Sequence, residues 1–159
     1  MYDIAVVGGG PAGLSAAVQA RARGKSVVVI GGDARDNALY KTRRIDNYLG
    51  FFGATGPELL ERFEAHAREM GVEHRNGRVL NILPMGTEFY LAVGGEVEQA
   101  RAVVLATGGY SYNEDLLKMA GFENVISCAP STSDGSGFLL AQAVGGCLLY
   151  TSPSPRDRG

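Results

Sequence analysis

The sequence predicts an α/β fold, and three observations predict it. Ile4-Ala5-Val6-Val7 is a short apolar run of the kind that fills a parallel strand covered on both faces. The run enters Gly8-Gly9-Gly10-Pro11-Ala12-Gly13, a glycine turn that opens an Ala-rich helix over residues 14–22. After a break at Gly24-Lys25, residues 26–30 form a second, β-branched strand, so strand, helix and strand fit within about thirty residues.

The glycine turn points to a nucleotide. Gly8 permits the tight turn, Gly10 lets backbone approach a pyrophosphate, and Gly13 lets the helix pack closely on the strand. Unpaired N–H groups of Gly9, Gly10, Ala12 and Gly13 and the positive end of the helix would then face phosphate. Pro11 supplies a preset φ where no N–H is needed. A glycine turn that merely reverses the chain is the competing account, and the strand before it and helix after it favour a Rossmann-like dinucleotide site. Such a site also needs a carboxylate at or just past the second strand to accept hydrogen bonds from the adenosine ribose. Asp33, behind Gly31-Gly32, is the candidate, with a solvated loop aspartate as the alternative.

Composition narrows the function classes. The 159 residues can bury one domain core, and a net charge of −2 with no basic stripe gives no footprint for nucleic acid or an anionic membrane. The fingerprint strand starts at the third residue, which leaves no room for a cleavable signal, and no apolar run approaches membrane-spanning length. A cytoplasmic setting is expected. Cys128 and Cys147 lie far apart without a Cys-x-x-Cys or metal-ligand spacing, so neither a disulfide framework nor a metal site is expected.

Further along, Thr55-Gly56-Pro57-Glu58 reads as a capping box opening a helix with Leu59, Leu60, Phe63, Ala67 and Met70 on one face, closed by Gly71. His66 lies near the edge of that face and His74 in a following short strand, both with structural or surface roles by default. Residues 78–83, 88–93 and 96–99 then read as three short strands of an antiparallel β-meander, with turns at Gly86 and Gly94-Gly95. A separate buried strand over residues 102–105 ends in Ala106-Thr107-Gly108.

Residues 1–108 resemble the start of the thioredoxin-reductase-like flavoproteins, within the glutathione-reductase fold group. The Gly8 to Gly13 fingerprint, Ile45-Asp46-Asn47-Tyr48-Leu49-Gly50, Thr55-Gly56-Pro57-Glu58-Leu59 and the strand ending Ala106-Thr107-Gly108 carry the resemblance. It implies a truncated Rossmann-like FAD-binding domain of the glutathione-reductase type, with FAD at the first fingerprint. It also implies Asn47 near the flavin or ribityl chain, Thr107 and Gly108 beside the cofactor, and NAD(P)H as electron donor of the longer relatives. Homodimers occur among such relatives, and the electron acceptor, a small molecule or a protein, is left open. One departure stands out: the glycine- and glutamine-bearing loop that relatives place after the second strand is here Asp36-Asn37-Ala38-Leu39. Lys41, Arg43 and Arg44 read as a solvated basic cluster.

From Ala106 to Gly146 the sequence resembles fumarate-reductase-type flavoproteins, through Ala106-Thr107-Gly108-Gly109-Tyr110 and Ser131-Thr132-Ser133-Asp134-Gly135 before a helix over residues 139–144. That resemblance would bring Asp134 and Gly135 to FAD, and a capped surface turn is the alternative. Residues 147–157 resemble a translated transposase-type sequencing adapter, so Cys147 to Gly159 is expected to be a non-native tail, polar and unstructured from Thr151. The chain therefore divides into 1–108, an N-terminal FAD-binding part; 109–146, a partial following or divergent segment; and 147–159. The expected function is the N-terminal FAD-binding fragment of a flavin-dependent oxidoreductase. The alternatives are a fragment of a fumarate-reductase-like dehydrogenase and a chimeric reading frame without native function.

Overall fold

The computed structural model describes residues 1–122 and 131–146. Cys128, Cys147 and the tail 147–159 lie outside the described residues. In chain order the elements are β1 (Tyr2–Val7), α1 (Pro11–Ala22), β2 (Val27–Gly31), α2 (Gly56–Glu69), β3 (Glu73–Asn76), β4 (Val79–Met85), β5 (Glu88–Val93), β6 (Glu96–Leu105), α3 (Glu114–Met119) and α4 (Ser136–Ala143). Two 3-10 turns, Ala34–Asp36 and Leu39–Lys41, join β2 to the loop before α2.

The described strands make one mixed sheet in the order β3-β2-β1-β6-β5-β4. The first four are mutually parallel, with Val7 opposite Ile30 on one side and Leu105 on the other. β5 and β4 extend the sheet antiparallel, which is the expected meander. One expectation changes. The strand at 96–99 and the strand at 102–105 are a single ten-residue strand, β6. No turn former separates Gln99 from Ala102, so the chain runs straight on. Ala100 pairs with Phe89 of β5 and with Tyr2 of β1, and the strand passes from antiparallel to parallel neighbours at that point.

Layers follow the apolar pattern. Val6, Val27 and Val29 on one sheet face pack with Ala17 and Ala20 of α1, whose small side chains let helix and sheet approach closely. Leu14 of α1 packs in turn with Leu60 and Ala67 of α2, placing α2 against α1. On the opposite face Ala5, Val7, Val28, Ile30, Leu91 and Ala100 form a second core, against which Leu140 and Val144 rest. α2 begins with the expected capping box: the Thr55 N–H donates to Glu58 Oε2 at 2.8 Å and the Glu58 N–H to Thr55 Oγ1 at 3.4 Å. Its C-terminus is tied to α1 by Arg21, whose Nε donates to the Met70 carbonyl at 3.0 Å.

α3 was not expected. Its signal is Asn113, whose Oδ1 accepts from the Leu116 N–H at 3.1 Å, with Glu114 and Asp115 in the first turn. α4 starts at Ser136, three residues before the expected 139, behind Gly135 in a left-handed conformation with φ 77°.

Candidate functional site

The carboxyl ends of β1, β2 and β6 converge on the glycine turn. Gly8 has φ +116°, and a Cβ there would overlap the Ala106 carbonyl. The Gly8 N–H donates to the Ile30 carbonyl at 2.8 Å, while the Ala106 N–H donates to the Val7 carbonyl at 2.8 Å. A Cβ on Gly13 would overlap the Gly8 carbonyl oxygen, and one on Gly31 would lie 2.9 Å from the Gly9 nitrogen. Backbone meets backbone at all three positions, so only glycine fits, and α1 is brought end-on to the edge where the strands finish.

The N-terminus of α1 has no internal cap. Gly10 is its N-cap, extended at φ −81° and ψ 179°, no side chain caps the helix, Pro11 opens it and its first turn holds no acidic residue. Among the described residues no backbone carbonyl accepts from the N–H groups of Gly10, Ala12 or Gly13. A twelve-residue helix whose N-terminus lacks a side-chain cap and first-turn acids leaves N–H groups and its positive dipole end that could hold an anion.

The rest of the edge supplies shape and hydrogen bonds. Asp33 follows β2, and its Oδ1 accepts from the Arg35 N–H at 2.8 Å, capping the short 3-10 turn. It lines a cleft of about 440 Å³ walled by Leu14, Val29, Ala67 and Val72, with His74 of β3 among its polar residues. The His74 Nε2 lies 3.6 Å from where a Gly9 Cβ would stand, so β3 contributes a polar group to the turn that the sequence did not flag. Asn37 is the other such group, with Nδ2 3.2 Å from a Cβ position on Gly10.

Thr107 and Gly108 continue β6 past Ala106 at the same edge. Thr107 is half-buried, its Oγ1 filling the place a Cβ on Gly137 would need, so α4 seats directly on it. Gly108 is exposed with φ +83°. Asp134 stands beside this edge, since the N–H of Gly135 donates to the Gly109 carbonyl at 3.3 Å. Both its carboxylate oxygens are engaged: Oδ1 accepts from the Ser136 N–H and Oδ2 from Arg78 Nη2, each at 2.9 Å. The Ser136 hydrogen bond first, and Arg78 after it, hold this carboxyl below its ordinary range. Asp134 thus makes a side-chain turn with Ser136 immediately before α4, whose N-cap, Gly135, has no side-chain cap. Asn47 is exposed in the loop closed by the Ile45–Ala54 bridge, and His66 is exposed on α2. The structure therefore gathers Gly8 to Gly13, Asp33, Thr107 and Gly108 along one edge, with Asp134 engaged at its side.

Comparison with known proteins bears on which dinucleotide fold this is. Residues 2–142 match the family described as Pyridine nucleotide-disulphide oxidoreductase. The chain belongs to that family. The match runs on through residues 109–142, so most of the segment after β6 falls within the same family as the glycine turn. The thioredoxin reductase of Bacillus subtilis (strain 168) is 33% identical over 109 residues, 68% of this chain and 34% of the relative. That of Mycolicibacterium smegmatis is 36% identical over 109 residues, 68% of this chain and 35% of the relative. Among solved structures, a thioredoxin reductase from Gloeobacter violaceus superposes with TM-score 0.65 at 31% identity, covering 68% of this chain and 34% of that one. A ferredoxin-flavin thioredoxin reductase from Clostridium acetobutylicum gives TM-score 0.62 at 42% identity, covering 68% and 38%. The chain spans about a third of the length of the curated relatives it matches. Among the described residues, no helix is long and apolar enough to cross a membrane.

Proposed function

We propose that this chain is the FAD-binding part of a flavin-dependent oxidoreductase of the thioredoxin-reductase-like group. The observation that carries the proposal is the uncapped N-terminus of α1, held against three strand ends by glycines where no Cβ fits. The residues present suit the adenosine and pyrophosphate half of the cofactor. N–H groups of Gly9, Gly10, Ala12 and Gly13 would hold the pyrophosphate, while Pro11 contributes no donor and keeps the helix start in place. Asp33 would accept from the ribose hydroxyls through the carboxylate oxygen that does not cap its turn. The apolar walls of the adjoining cleft suit an adenine ring. Thr107 and Gly108 lie where the chain leaves β6, toward the flavin half, and Asn47 belongs to that half as well. Asp134 serves the same edge by fixing the head of α4, and with it the seat of Thr107.

When bound here, FAD would supply hydride and two-electron transfer chemistry between a nicotinamide donor and an acceptor. The family description suggests a pyridine nucleotide, NAD(P)H, as donor, and relatives named thioredoxin reductase suggest thioredoxin as a protein acceptor. The cysteines of this sequence, Cys128 and Cys147, form no Cys-x-x-Cys, so these 159 residues do not themselves carry an adjacent dithiol for disulfide exchange. A cytoplasmic location fits this redox chemistry. We take residues 1–108 as the FAD-binding unit, 109–146 as a partial segment packed upon it, and 147–159 as a non-native tail.

The test is flavin binding by the purified chain, followed as the change in FAD fluorescence on titration, with Gly10→Val alongside. Saturable binding is expected, lost in Gly10→Val while far-UV circular dichroism stays native. A folded chain that does not bind FAD, or a Gly10→Val variant that binds as well as the original, overturns the proposal.

A further inference from the structure

We propose that the side-chain amide of Asn37 is a pyrophosphate donor of this site, an inference that rests on the cofactor reading above. In this chain the loop after β2 carries Asp36-Asn37-Ala38-Leu39. The structure holds Asn37 from both sides: its own N–H donates to the Ala34 carbonyl at 3.1 Å, and its carbonyl accepts from the Tyr40 N–H at 3.1 Å. Its Oδ1 accepts from the Leu39 N–H at 2.9 Å, the i to i+2 pattern of an Asx turn. That bond uses the acceptor end of the amide and leaves the NH2 end free.

The free end points at the mouth of α1. Nδ2 lies 3.2 Å from the place a Cβ on Gly10 would occupy, and it has no acceptor among the described residues. Asn37 Nδ2 stands beside Gly10 at the α1 N-terminus, whose N–H groups at Gly10, Ala12 and Gly13 also lack a backbone acceptor among the described residues, and donors cannot satisfy each other. An acceptor between them satisfies both sets, and an anionic diphosphate does so with charge-assisted bonds. The nearby carboxylate is directed elsewhere: Asp36 Oδ2 lies 3.6 Å from the Cβ position of Gly32. Asn37 therefore provides by side chain a contact at the phosphates that complements the backbone donors of the glycine turn.

Three variants of the 159-residue chain test this, with FAD and ADP as diphosphate probes and adenosine as the probe without phosphate. Asn37→Asp keeps an oxygen for the Leu39 N–H but replaces the donor by a negative charge. Asn37→Ala removes both, and Asn37→Ser keeps a small polar group should the other two perturb the loop. Binding of FAD and ADP is expected to weaken about tenfold in Asn37→Ala and about a hundredfold in Asn37→Asp, with adenosine affinity unchanged. Variants that bind FAD and ADP as the original does, or more tightly because a plugging amide has gone, overturn the Asn37 assignment and leave the cofactor reading intact. Failure of the unmodified chain to bind FAD removes the cofactor reading and this inference together.

Discussion

The carbonyl oxygen of Gly8 occupies the space that a Cβ on Gly13 would need. This contact joins the turn after β1 to the first turn of α1, and both partners are backbone, so neither can rotate away.

Gly13→Ala is therefore expected to destabilise the fold by about 2–3 kcal/mol, the range of an overpacked core site where the neighbours cannot yield. Gly24 is the natural control. It has φ +73° with nothing within 4 Å of its Cβ position, so Gly24→Ala carries only the left-handed backbone penalty of about 1 kcal/mol. Urea unfolding should place the Gly13→Ala midpoint clearly below that of Gly24→Ala; equal midpoints would show that helix and turn are not in contact.

Acid should unfold the chain through carboxylates that the fold has engaged. Asp3 Oδ2 accepts from the Ser26 N–H at 2.9 Å and the Ser26 hydroxyl at 3.0 Å, pinning the start of β1 to the residue before β2. Those bonds lower its pKa, as the Thr55 N–H lowers that of Glu58 and the Ser136 N–H that of Asp134. A depressed carboxylate contributes stability above the unfolded-state pKa of about 4 and loses it as pH falls through the folded value. Urea midpoints should hold from pH 7 to about pH 5 and drop between about pH 4 and 3. Asp3→Asn is expected to lower the midpoint at pH 7 and flatten the acid limb. An unchanged slope in that variant would show that the Asp3–Ser26 bonds are not linked to folding.

Much of the fold was legible because its signals are local. Residues 4–7 and 26–30 announce themselves by β-branched runs, and Gly8 and Gly13 by a spacing that only close backbone approach explains. The capping box at Thr55 and Glu58 was equally local and is present. The unity of β6 was hidden, because the change of neighbours at Ala100 depends on pairing with Tyr2, ninety-eight residues earlier. Asn37 was hidden for a similar reason. Nothing in Asp36-Asn37-Ala38-Leu39 says that its amide will stand over Gly10, since the two are joined only through the sheet and the turn after β2. The ion pair of Asp134 was hidden as well, since the partner of its Oδ2 is Arg78, fifty-six positions away.

The most direct measurement is the map of amide shifts on adding ADP to the isotopically labelled chain. ADP carries the diphosphate and adenosine of the cofactor without its flavin, so the readout is independent of redox chemistry. The largest ¹H–¹⁵N shifts should fall on Gly9, Gly10, Ala12 and Gly13, with Asn37 Nδ2 and the residues flanking Asp33 next, and adenosine alone should leave the Gly10 and Ala12 amides nearly unmoved. Shifts confined to the basic cluster at Lys41, Arg43 and Arg44, or absent from the α1 N-terminus at saturating ADP, would contradict the assignment of this edge to a dinucleotide.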